Sequence, residues 1–115
     1  MTGLKILPAA FYMTASGGEP VRAWLKGLQS EDRRIIGRDI ATAEFGWPVD
    51  MPLSRSLGRG LFEIRSNISS GRIARVVFAV VDRRMVLLHG FVKKTQKTPK
   101  SDLDLATRRL KEIVS

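Results

Sequence analysis

The 115-residue sequence contains no cysteine, which excludes disulfides and thiolate metal sites as supports for the fold. Long hydrophobic runs are also missing. No stretch approaches the ~18–20 apolar residues of a membrane span, and the opening MTGLKILPAAFYM has one lysine and an apolar run broken by Pro8, a poor signal peptide. A cytoplasmic chain that makes no use of a membrane is the expectation. Repeats, linkers and low-complexity tracts are absent, so residues 1–115 read as one domain. Acids are scarce in one half: between Ser54 and Lys100 only Glu63 and Asp82 face eleven lysines and arginines. That surplus equals the whole net charge of +9, leaving the remainder neutral. Lysines can guard a sheet edge against aggregation, but seven arginines and four lysines in one segment are better explained by a polyanionic partner such as RNA or the ribosome.

What is present sorts by period. Leu4–Thr14 reads as a first strand bent at Pro8, since proline cannot donate to a ladder. Glu19-Pro20 opens a helix in which Val21, Trp24, Leu25 and Leu28 share a face. Ser30 is placed to cap a second helix running to about Phe45, with Ile36, Ile40 and Ala43 inward and Arg33, Arg34 and Asp39 outward. Gly46-Trp47-Pro48 stops it. Val49–Gly60 shows no periodicity and reads as a loop. Three strands follow, at Leu61–Arg65, Arg72–Val81 and Met85–Lys93, joined by connections too short for parallel crossovers. Thr98 is placed to cap a last helix with Leu103, Ala106, Leu110 and Ile113 as its buried stripe. The order β-α-α-β-β-β-α implies an α+β domain with helices on one face of an antiparallel sheet.

The runs GLFEIR (Gly60–Arg65), ARVVFAV (Ala74–Val80) and above all LLHGFVKKTQKTP (Leu87–Pro99) resemble the phage-derived, HigB-like branch of the RelE/ParE toxin superfamily. The likeness extends over Leu4–Val114 and includes Ala106 and Arg109 in the last helix. It implies a RelE-like antiparallel sheet with two N-terminal helices on one face and a C-terminal helix. It also implies a toxin of a type II toxin–antitoxin system. Such a toxin would be a metal-independent, ribosome-dependent endoribonuclease that cuts translated mRNA and is silenced by a cognate antitoxin, commonly a helix-turn-helix DNA-binding protein. Two alternatives stay open: a ParE-like toxin that blocks DNA gyrase, and a basic nucleic-acid-binding protein without catalysis.

RNA cleavage of this kind uses the 2′-hydroxyl as nucleophile and needs no cofactor. The protein must align it, move a proton and stabilise phosphate charge. Arginine does the last by paired hydrogen bonds and lysine as a point charge. A metal nuclease would call for clustered carboxylates, and nothing beside Glu63 and Asp82 completes such a set. Strand parity places Glu63 with Arg65, puts Arg75 on an otherwise apolar strand, and puts His89, Phe91 and Lys93 on one face. Arg65, Arg75, Lys93 and His89 are therefore the catalytic candidates, provided the faces coincide. Arg59, Arg72, Phe91, Lys94 and Lys97 are the RNA-binding candidates. Each has a plainer reading: His89 as a structural hydrogen bonder, Phe91 as core, Arg59 (with Arg55) as loop solvation, and Glu63 as a salt-bridge partner of Arg65 or Arg75. Gly90 marks a close approach or a bulge, and Trp24 and Trp47 read as core anchors.

Overall fold

A computed structural model describes residues 4–48, 53–93 and 97–114. The strands are β1 (Ala9–Phe11), β2 (Ser54–Gly58), β3 (Leu61–Asn67), β4 (Ile73–Val81) and β5 (Arg84–Lys93). The helices are α1 (Pro20–Lys26), α2 (Ser30–Gly46) and α3 (Lys100–Val114). The five strands form one sheet in the order β1-β5-β4-β3-β2. The α+β class expected from the sequence is the one observed.

Three features differ from expectation, each for a local reason. β1 begins only after Pro8, because Ile6 and Leu7 donate their backbone N–H groups to Glu44 O (2.8 and 2.9 Å) instead of to a strand. It pairs with β5 in parallel, Ala10 opposite Val86, so the sheet is mixed. Part of the anticipated loop is strand β2, antiparallel to β3. Its sequence SRSLG hides this: inward-facing Ser54 carries no apolar signal although it is buried.

The third difference decides the architecture. Alternate residues of β3, β4 and β5 are buried on both faces. Ile64, Val76, Phe78 and Leu87 pack against Val21, Ile36, Ile40 and Ala43 of α1 and α2. Leu61, Val77, Ala79 and Leu88 pack against Ala106 of α3, with Leu103 and Leu110 beside it. So α3 covers the opposite face from α1 and α2, correcting the one-faced arrangement. The apolar run of β4, buried 0–2% exposed from Ala74 to Ala79, demands cover on both sides. Ile113, expected in the stripe, lies exposed beyond the last covered turn.

Trp24 and Trp47 are anchors as expected. Trp47 meets Phe62 and Phe78 edge-on at 5.1 and 5.4 Å. Trp24 lies on Gly90 so closely that an added Cβ would stand 2.3 Å from its ring. Gly90 is thus the close-approach position, while the irregularity in the β4–β5 ladder falls one step away, opposite Val77 and Phe78.

Candidate nucleic-acid interface

The register answers whether the predicted faces coincide. Arg65 stands opposite Arg75, and Arg75 opposite Phe91. One step along, Arg55, Glu63, Val77 and His89 form a continuous row. The ladder irregularity leaves Leu88 and His89 on the same side, so His89 joins Phe91 on the α3 face. Lys93 pairs with Ile73 at the end of this face. Arg65, Arg75, His89, Phe91 and Lys93 therefore share one surface of the sheet.

Depth divides them. Arg75 and Glu63 are both 0% exposed, beneath the start of α3. Glu63 Oε1 takes an ion pair from Arg55 Nε at 2.9 Å. Its Oε2 accepts from Thr98 Oγ1 at 2.7 Å, and Thr98 Oγ1 in turn accepts from Arg75 Nη1 at 3.4 Å. Burial pulls the Arg75 guanidinium below its ordinary value. Glu63 opposes that fall, while the neighbouring Arg65 and Arg55 charges add to it and Asp102 opposes it. Arginine's intrinsic value is so high that it stays charged. A fully buried Arg75 does not present itself to phosphate, which corrects the expectation of direct contact. Its charge acts from below. Thr98 likewise turns its hydroxyl into the sheet rather than capping α3.

His89 is also engaged. Its Nε2 lies 2.6 Å from Asp102 Oδ1 in the first turn of α3, and its ring stacks on Phe91 at 5.4 Å. Phe91 is 8% exposed, with the Arg75 guanidinium carbon over its ring at 6.0 Å from the centroid. So little ring is left that base stacking on Phe91 is corrected to a core role. Half-buried Arg65 and exposed Lys93 form the accessible cationic rim of this face, and Lys97, also exposed, lies just ahead of α3. Lys94 lies outside the described residues.

Two candidates are held elsewhere. Arg72 sits at the correct end of the sheet but turns to the other face, where its Nη2 reaches Asp32 Oδ2 at 2.9 Å. Asp32 also accepts from Ser69 N and Oγ at 3.1 and 3.0 Å, and the backbone bond above all holds its carboxyl below the usual aspartate value. Arg59 lies in the β2–β3 turn, paired with Asp104 at 3.3 Å. The length of β3, roughly 20 Å at ~3.3 Å per residue, separates it from Lys93. Sequence reasoning missed Asp102 and Thr98 as partners of the site. An acid in a helix's first turn and a threonine before a proline each have an ordinary helix-start explanation, which masked the contact across the sheet.

Residues 23–111 match the family described as phage-derived protein Gp49-like (DUF891). The chain belongs to that family. The Gp49-like family is one of RelE-like toxins of toxin–antitoxin systems, and membership implies an antitoxin partner. The matched stretch runs from α1 into the last turn but one of α3 and contains the whole cationic face. No curated protein matches the chain. Among the described residues of this Gp49-like chain, no helix is long and apolar enough to cross a membrane. No three metal-ligating side chains come together among those residues either.

Proposed function

We propose that the chain is a HigB-like toxin that cleaves translated mRNA on the ribosome, in the cytoplasm, and is neutralised by a helix-turn-helix antitoxin. One observation carries this reading: the sheet register gathers Arg55, Arg65 and Arg75 around Glu63, with Lys93 at the end of the same face. Such a surplus attracts the phosphodiester backbone of RNA. In the proposed reaction the 2′-oxygen attacks the adjacent phosphorus, the bond to the 5′-oxygen breaks, and a 2′,3′-cyclic phosphate and a 5′-hydroxyl result. Arg65 and Lys93 supply charge to the non-bridging oxygens, where negative charge grows. Buried Arg75 strengthens that field from beneath, and Lys97 holds the flanking backbone. His89, oriented by Asp102 and on the same face as the rim, is a candidate to exchange a proton, a task a lysine can also serve.

The test is single-turnover cleavage on programmed ribosomes together with mapping of cuts after brief induction in cells. Unaltered protein should cut messages within their coding regions and leave naked RNA almost intact. Arg65→Ala should lower the rate ~100- to 1,000-fold, the usual cost of one transition-state donor, in a protein that still folds. Lys93→Ala and Lys97→Ala should each act more gently, because binding charge is shared. Intact messages with accumulating gyrase–DNA breaks would replace this reading with the gyrase one.

A further inference from the structure

One group of exposed apolar side chains, Met13, Ile113 and Val114, stands apart from the cationic face, and unlike Leu4, Ile6 and Phe45 it borders a cavity. Beneath the last turn of α3, a cavity of about 270 Å³ is walled by β1, the β4–β5 hairpin and Ile113. Met13 (58% exposed) and Ile113 (37%) form its lip, and Val114 (60%) follows. The cause lies in lengths. The apolar stripe of α3 continues at helical spacing past Leu110, but β1 has only three residues, so the helix overhangs the sheet. The walls are braced: Tyr12 Oη donates to Glu112 Oε2 at 3.0 Å, and Arg109 Nη1 donates to Leu88 O at 2.7 Å. Arg84 lines the mouth and Arg83 stands exposed next to it in the hairpin turn.

We infer that this groove is the docking site for a segment of the antitoxin that carries a large apolar anchor flanked by acidic residues. The space is below the ~300–1,000 Å³ of small-molecule pockets and suits one anchor side chain of a helix or strand. Asp82 also lines the mouth, but Arg84 beside it and Arg83 in the same turn outweigh it, so acidic flanks complement the net positive charge there. A net charge of +9 disfavours a second copy of the chain as occupant. Arg84 and Lys93 are the two ends of β5, so the groove lies about 30 Å, at ~3.3 Å per residue, from the cationic rim. The inference rests on membership of a toxin–antitoxin family and not on the ribonuclease reading, so the two can fail separately.

The experiment titrates the full chain with the purified product of the reading frame adjacent to its gene, by calorimetry. Ile113→Asp and Met13→Asp should each weaken Kd about 30-fold or more, as loss of a central apolar anchor does, with melting temperature unchanged because both side chains are exposed. Arg84→Glu should weaken binding and flatten its salt dependence, while ribosomal cleavage stays at the unaltered rate in all three. Three results would overturn the inference. They are no binding by the unaltered chain, Kd within threefold in both aspartate variants, or a change in the mass of the free protein, which would seat a second copy in the groove. Lost cleavage with intact antitoxin binding would assign the groove to the ribosome instead. Absence of cleavage by the unaltered chain would sink the ribonuclease reading while leaving the titration interpretable.

Discussion

Glu63→Gln isolates charge from shape at the centre of the molecule. Glutamine keeps the volume of the side chain and can still accept from Thr98, but it leaves the Arg55 and Arg75 guanidiniums without the carboxylate between them. Two magnitudes compete. A surface ion pair contributes ~0–1 kcal/mol, whereas removing one member of a buried pair costs ~3–5 kcal/mol because a desolvated charge remains. Both Glu63 and Arg75 are fully buried, so the second range applies. The retained Thr98 bond and the nearby Asp102 charge place the cost at its lower end, about 3 kcal/mol. For 115 residues, at ~2.1 cal/mol/K each, the unfolding entropy is roughly 240 cal/mol/K. The melting temperature should therefore fall by about 12 °C. Calorimetry at neutral pH reads this directly, with Glu63→Gln/Arg75→Met as the companion: taking away the stranded cation should recover much of the loss. A fall below about 4 °C, the upper bound for a surface pair, would refute the reasoning.

Other expectations follow from single contacts. His89→Gln can still bond Asp102, so it should cost about 1 kcal/mol and retain ribosomal cleavage. A stable but inactive protein would instead make His89 a proton carrier, whose loss costs ~100- to 10,000-fold. The Asp32 carboxyl is held below its ordinary value, chiefly by Ser69 N–H and with help from Arg72. Its stabilisation is full above the ordinary aspartate value and is lost as pH falls through the lowered one. Asp32→Asn should thus melt earlier than the unaltered chain at pH 7, and the gap should close below about pH 4; a gap undiminished at pH 2 would contradict this. Gly90→Ala puts a methyl group into the Trp24 ring and should destabilise by ~1–3 kcal/mol, read as an earlier melting transition; Trp24→Leu in the same chain should relieve it.

The elements with strong period were legible before any coordinates. Ile36, Ile40 and Ala43 marked the inner face of α2, and the alternation of Phe62 and Ile64 with Glu63 and Arg65 marked β3. Strand parity also anticipated the common face of Arg65, Arg75, His89, Phe91 and Lys93. Depth was not legible. Parity says which side of a sheet a residue takes but not what lies over it, and α3 arrives there from 26 residues beyond Ala74, along a path with no local signal. That helix turns Arg75 and Phe91 from surface groups into interior ones. β2 was invisible because its one buried position is a serine, Ser54, where tertiary burial overrides propensity. Arg72 was misplaced because its partner Asp32 is forty residues away.

The buried bonding order at Glu63 also limits how this face can drift by mutation. Glu63 has a second cation, Arg55, at 2.9 Å. A lineage that loses Arg75 first keeps its carboxylate neutralised, and a larger apolar side chain can fill the gap. A lineage that loses Glu63 first must tolerate cations facing one another in the interior, with nothing but rare simultaneous change to relieve them. The two histories end at the same sequence, yet the one that starts at Arg75 passes through the more stable intermediate. Relatives lacking Arg75 but retaining Glu63 are therefore the easier stepping stones, and the reverse combination is the costlier one.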